Sequence, residues 1–305
     1  MEHGTKENEG ENMNENARDK AAHLDFWSSP VEPEPLGGGI TNTNFIVHDR
    51  GERFVVRIGD DIPIHGVMRF NEIAAAKAAY AAGISPEIVY NSDGVFVMRF
   101  IEGHTFTEQD VRKKQNLERI LPLIQICHTE LPKYFRGPAL VFWPFHVCRS
   151  YIITAREGNS RMMDSLQRFV DINQELENEV GEIKLVFGHN DLLAANFIDD
   201  GKRLWLLDWD YAGYDAALFD LANLSSNNEL SPEQEDWLLE TYFKKKVTDR
   251  LRRQVMAMKC VSLLRETLWS INSEIYSTLE FDYMSYTKKN LTRFASAYEA
   301  FRQLR

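Results

Sequence analysis

The stretch FGHNDLLAANFI, residues 187–198, restricts what this chain can become more than any other. It sets His189, Asp191 and Asn196 at H-x-D-x-x-x-x-N spacing between KLVF and NFI, two runs apolar enough to be core strands. WLLDWDYAG follows, with Asp208 and Asp210 beside a third apolar run. An unpaired buried carboxylate is costly. The segment is therefore either a polar surface hairpin or a place where something cationic is held. A surface hairpin does not account for four polar groups interrupting KLVF, NFI and LWLL.

The spacing favours the second reading. Asp191 and Asn196 lie five apart, and Asp208 follows twelve residues later across a hairpin with an Asp-Asp-Gly turn. A kinase places its catalytic-loop aspartate, catalytic-loop asparagine and metal-binding aspartate in this way. The chemistry needs each type. A carboxylate accepts the proton of the attacking hydroxyl. An amide oxygen and a second carboxylate hold Mg²⁺, which takes hard oxygen ligands. His189 is expected to hold the loop's shape through main-chain hydrogen bonds.

Two features nearer the N-terminus fit the same reading. In LGGGITNTNF, Gly37, Gly38 and Gly39 let the backbone approach a ligand, and successive N–H groups can cradle an anion. Thr41 and Asn42 add side-chain donors, although such a run also serves as a flexible turn. Arg57 sits mid-strand in FVVRIG and Glu72 lies in the next helix. A strand cation paired with a helix carboxylate fixes the group that grips nucleotide phosphates in a kinase. The alternative is an edge arginine and a surface glutamate.

The pattern around these residues separates into two parts. FIVHDRGERFVVRIG reads as a hairpin turning at Asp49-Arg50-Gly51. An Ala-rich helix ending at Gly83 follows. Two more strands then flank an Asn-Ser-Asp-Gly turn. This predicts a small antiparallel sheet with one helix. Beyond Gly103 the periodicity is mostly helical. Thr107 is placed to cap a helix, and Pro122 to kink or restart one. An amphipathic helix is expected near 162–180, and a capping box at Ser231-Pro232 with Gln234. Helices are then expected at about 231–246, 249–277 and 284–303. Residues 1–21 are polar and read as a disordered tail.

Composition excludes several classes. There are 46 acidic against 35 basic residues, a formal net charge of −11, which argues against non-specific nucleic-acid binding. No apolar run is long enough for a membrane helix, and the N-terminus lacks the apolar core of a signal peptide. Cys127, Cys148 and Cys260 are odd in number and widely spaced, which suits reduced thiols in the cytoplasm rather than disulfides or a zinc site.

These residues together resemble the choline/ethanolamine kinase family, within the broader aminoglycoside phosphotransferase and protein-kinase-like fold. HNDLLAANFI and LLDWDYAGYDAALFDLAN are similar to its catalytic and metal-binding stretches, and LGGGITNTNF to its nucleotide loop. Arg57 matches the strand arginine that choline kinases carry where most relatives have lysine. MRFIEG resembles the hinge, where main chain at Arg99, Phe100 and Ile101 meets adenine. LWSINSEI followed by FDYMSY resembles the substrate-pocket helix and the turn after it. The resemblance spans roughly residues 31–303.

It implies an α+β, two-lobed fold: a small antiparallel-sheet lobe over residues 22–102, after the acidic tail at 1–21, and a larger, mainly helical lobe over 103–305. It implies an ATP- and Mg²⁺-dependent phosphotransferase acting on a small amino alcohol, foremost choline, otherwise ethanolamine. Asp191 would be the base, and Asn196 and Asp208 the Mg²⁺ ligands. Asp210 would steer metal or substrate, and Trp269 matches a pocket tryptophan. Glu266 stands where members often carry a second tryptophan one turn earlier. A quaternary ammonium is held by ring faces and nearby carboxylates, so Tyr214, Phe281, Tyr283 and Tyr286 are further pocket candidates. The competing readings are an aminoglycoside phosphotransferase and an inactive nucleotide-binding regulator. Retention of Asp191, Asn196 and Asp208 together speaks against the last.

Overall fold

A computed structural model describes residues 15–37, 42–277, 279 and 281–304. Its sheet lobe is built on two hairpins. Strands β1 (Glu34–Leu36), β2 (Thr43–Asp49), β3 (Glu52–Ile58), β4 (Ile88–Ser92) and β5 (Val95–Arg99) form one antiparallel sheet in the order β1-β2-β3-β5-β4. The first hairpin turns at Arg50-Gly51, both at positive φ, which matches the twist of the flanking strands. Strand β1 was not apparent in the sequence, because a three-residue edge strand containing Pro35 carries no alternation.

Alternate residues of a strand face opposite sides. Phe45, Val47, Phe54, Val56 and Val97 therefore form one buried face, while Arg57, between Val56 and Ile58, points to the other. The first face is covered by α1 (15–22), through Ala17 and Ala21. This corrects the expectation of a tail disordered through residue 21. Small alanines spaced four apart let a short helix lie close to the sheet, a contact that polarity counts do not register. Residues 1–14 lie outside those described.

Helix α2 (Arg69–Ala81) connects β3 to β4, and Gly83 follows it at φ 80°, as expected of a residue after a helix end. The larger part comprises α3 (Glu108–Val111), α4 (Lys114–Thr129), α5 (Leu131–Tyr134), α6 (Pro144–Glu157), α7 (Met163–Val180), α8 (Ala217–Asn228), α9 (Pro232–Phe243), α10 (Asp249–Tyr276) and α11 (Tyr283–Gln303). Thr107 and Ser231 both form the capping boxes their sequences announce. Helix α4 runs through Pro122 as one element, so the chain does not restart there. Pro122 and Glu118, the partner of the forfeited hydrogen bond, both lie on the exposed side, where water can serve that carbonyl.

Helix α10 is the spine of this lobe, packed against α6, α7, α8 and α11. Two short β units complete the larger part: β7 (Leu185–Gly188) pairs with β10 (Gly213–Ala216), and β6 (His104–Thr105), β8 (Phe197–Asp199) and β9 (Leu204–Leu206) form the other. Cys127, Cys148 and Cys260 are free and buried. No helix among the described residues is long and apolar enough to cross a membrane.

Candidate active site

The loop from His189 to Asn196 joins β7 to β8, and the β8–β9 hairpin carries the chain on to Asp208. The loop is held from beneath. Asp220, on α8 and buried, accepts from the N–H groups of His189 (2.8 Å) and Asn190 (2.7 Å). His128 bridges Asp220 (2.9 Å) and the Tyr242 hydroxyl (2.7 Å). Asn223 accepts from the Leu192 N–H at 2.6 Å. Two non-glycine residues at this site, Asn190 and Asp208, sit in the left-handed region (φ 66° and 68°), a conformation that persists only where the surroundings enforce it.

Asp220→Ala would leave two main-chain donors and His128 buried without an acceptor. The expected loss is about 3 kcal/mol of stability, measured by urea unfolding, with a smaller loss in Asp220→Asn. An unchanged unfolding midpoint in Asp220→Ala would show that the loop is held by other contacts.

His189 behaves as its sequence position suggested. Its Nε2 donates to the Leu207 carbonyl (2.9 Å) and its Nδ1 accepts from the Asp191 N–H (3.3 Å). Burial lowers its pKa, so the ring is neutral and ties Asp191 to the strand before Asp208. Asn196 donates from Nδ2 to the Asp191 carbonyl (2.9 Å), which commits the nitrogen, so that any ligand would meet the amide oxygen.

Arg57 and Glu72 meet as expected. Nη1 of Arg57 lies 2.6 Å from Glu72, 3.0 Å from Asp208 and 3.3 Å from Asp210. A second arginine, Arg69, was missed. Its Nη1 reaches Glu72 and, at 2.9 Å, Asp210, and its Nη2 reaches Asn42. The signal was available: a cation in a first helical turn opposes the helix dipole, so Arg69 at the start of α2 needed a carboxylate partner. Against the effect of burial, Arg57 holds the pKa of Asp208 below its usual value. Asp210 is pushed well up by burial, then by Asp208 and Glu72. The structure thus places Asp210 in the arginine cluster.

Asp191 faces α10. Burial raises its pKa to about 7, partly offset by Arg265, whose Nη2 lies 3.1 Å from Oδ1. Arg265 also reaches Glu266 at 3.2 Å, and Glu266 accepts from the Tyr286 hydroxyl at 2.6 Å. Arg265 too was missed. It lies four residues before Trp269 on α10 and shares its face, a spacing that points to it as directly as the three-residue step points to Glu266.

The aromatic candidates separate. Trp269 packs on His65 (centroids 5.1 Å), Tyr283 (5.9 Å) and Tyr286 (6.2 Å), and Phe281 packs on Tyr283 at 5.0 Å. The structure does not bring Tyr214 to them; its ring stands on Phe187, 5.4 Å away, because β10 turns it toward β7. Trp269 and Tyr283 line a cavity of about 450 Å³ whose opposite wall is Asn42, Gly59 and Asp61 of the sheet lobe. At the hinge, Arg99 pairs with Glu87 and Glu52 on the surface. The Phe100 N–H is bonded to Arg53 (3.1 Å), while that of Ile101 has no partner among the described hydrogen bonds. Gly37 is described; Gly38, Gly39 and Thr41 lie outside the described residues.

A family model described as choline/ethanolamine kinase matches residues 34–234. Protein LicA of Haemophilus influenzae is 30% identical over 215 residues, covering 67% of this chain and 61% of LicA. The match thus spans about three-fifths of that relative's length. Ethanolamine kinase 2 of Mus musculus is 26% identical over 293 residues, covering 84% of this chain and 73% of that one. The crystal structure of a choline/ethanolamine kinase family protein from Mesorhizobium loti superimposes with a TM-score of 0.71 at 26% identity, covering 95% of each chain. With the match running from the sheet lobe through the catalytic loop and Asp208, the chain belongs to the choline/ethanolamine kinase family.

Proposed function

We propose that this protein transfers the γ-phosphoryl group of ATP to the hydroxyl of a small amino alcohol, with Mg²⁺. The observation that carries the reading is the joint placement of Asp191, Asn196 and Asp208, tied together through His189 and the β8–β9 hairpin. In the reaction, Asp191 accepts the hydroxyl proton as the acceptor oxygen bonds to phosphorus and the bond to ADP breaks. Arg57, oriented by Glu72, exchanges its contact with Asp208 for a phosphate oxygen. The Ile101 N–H is the main-chain donor for adenine.

The residues suit a magnesium ion. Glu72, Asp208 and Asp210 offer carboxylate oxygens within 4.8 Å of one another, against the two guanidinium groups of Arg57 and Arg69. Burial first, and then the neighbouring Asp208 and Glu72 carboxylates, raise the pKa of Asp210. Asn196 and Asp208 would hold the ion, with Asp210 beside them; when bound it offsets phosphate charge as the transfer proceeds. The free, buried thiols support placing the reaction in the reducing cytoplasm.

The test is a transfer assay with γ-labelled ATP and ethanolamine, choline and kanamycin as separate acceptors. Label is expected on at least one of the two amino alcohols, and none without Mg²⁺. Label on kanamycin alone, or on no acceptor, would overturn the reading.

A further inference from the structure

We propose that Arg265 sets which amine the site takes: an acceptor with a primary ammonium is favoured and a quaternary one is discriminated against. The inference rests on the amino-alcohol reading above. The Arg265 side chain is 3% exposed and bridges Asp191 and Glu266. Its guanidinium carbon stands 4.7 Å from the centroid of the Tyr211 ring and 5.7 Å from that of Phe142. Its Nε and Nη1 are buried with no hydrogen-bond partner among the described residues. A cation held by carboxylates and ring faces is how a protein receives a quaternary ammonium. Here the protein's own guanidinium fills that place, in contact with the base.

The acceptor cannot avoid it. Two carbons separate nitrogen from hydroxyl in a 2-aminoalcohol, so a hydroxyl at Asp191 keeps the nitrogen close to Arg265 and Glu266. Two cations at that range repel, and direct contact with Glu266 must offset the repulsion. A primary ammonium makes that contact through a charge-assisted N–H hydrogen bond. Three methyl groups hold the charge away from the carboxylate and leave no donor.

The rings nearby do not replace the lost contact. Trp269 is 4% exposed and, with Tyr283, lines the cavity of about 450 Å³, whose lining does not include Asp191, Arg265 or Glu266. The cavity of about 320 Å³ that Glu266 lines has Tyr286 as its aromatic wall, and its other lining residues are mainly polar.

The experiment measures kcat/KM for ethanolamine, its N-methyl and N,N-dimethyl derivatives, and choline, in the full chain. Efficiency is expected to fall along the series, most steeply at choline, with ethanolamine favoured over choline by about tenfold or more. Arg265→Met should raise the choline-to-ethanolamine ratio by about tenfold. Glu266→Gln, which keeps the side-chain shape, should narrow the preference even if the methionine variant fails to fold. Choline used as well as ethanolamine by the natural protein, or an unchanged ratio in every folded variant, overturns the inference and leaves the amino-alcohol reading standing. No transfer to any of the four overturns both.

Discussion

Asp191→Asn should leave a folded protein that still binds ATP and turns over about 10²–10⁴-fold more slowly. The asparagine keeps the contact with Arg265 through its amide oxygen but cannot take the acceptor's proton. Since the proposed role puts the carboxylate on the acceptor and not on the nucleotide, ATP affinity should be unchanged, which calorimetry or nucleotide fluorescence would read. The pH dependence follows from the same group. Burial raises the pKa of Asp191 to about 7, and only the ionised carboxylate accepts a proton. Turnover should therefore be full above about pH 7 and fall about tenfold per unit below it, and this limb should be missing from the residual rate of Asp191→Asn. A folded variant with near-normal kcat would move the base elsewhere.

Asp208→Ala should lose about 10²–10³-fold or more in activity at every attainable Mg²⁺ concentration, whereas Asn196→Ala should recover in part as Mg²⁺ is raised. A charged ligand contributes more than a neutral amide. Overall stability should change little in the Asp208 variant, because Arg57 keeps Glu72 and Asp210 as partners. Steady-state rates across a Mg²⁺ series, beside a thermal melt, separate these outcomes. Ordinary activity of Asp208→Ala in ordinary Mg²⁺ would remove it from the metal site.

Local chemistry was readable along the chain wherever a residue's role depended on close neighbours. The capping boxes at Thr107 and Ser231 are three-residue devices, and both formed. The Arg50-Gly51 turn follows from a requirement for positive φ. The loop role of His189 depends on residues within twenty positions of it. The tail was misread where packing, not propensity, decided. Two buried alanines suffice to dock α1 on the sheet.

The sequence by itself determined the two-lobed α+β plan, paired Arg57 with Glu72 and brought out Asp191, Asn196 and Asp208 as candidates, because strand alternation and motif spacing are properties of the linear chain. It did not determine which charges share a site across long separations. Arg69 meets Asp210 from 141 residues away, and Arg265 meets Asp191 from 74. Those encounters depend on how α2 and α10 are rotated against the catalytic loop, which is set by burial of their apolar faces. Only the tertiary structure therefore decided that Asp210 belongs with the arginines, that Tyr214 stands on Phe187, and that the Arg265 guanidinium lies over the Tyr211 ring beside Asp191.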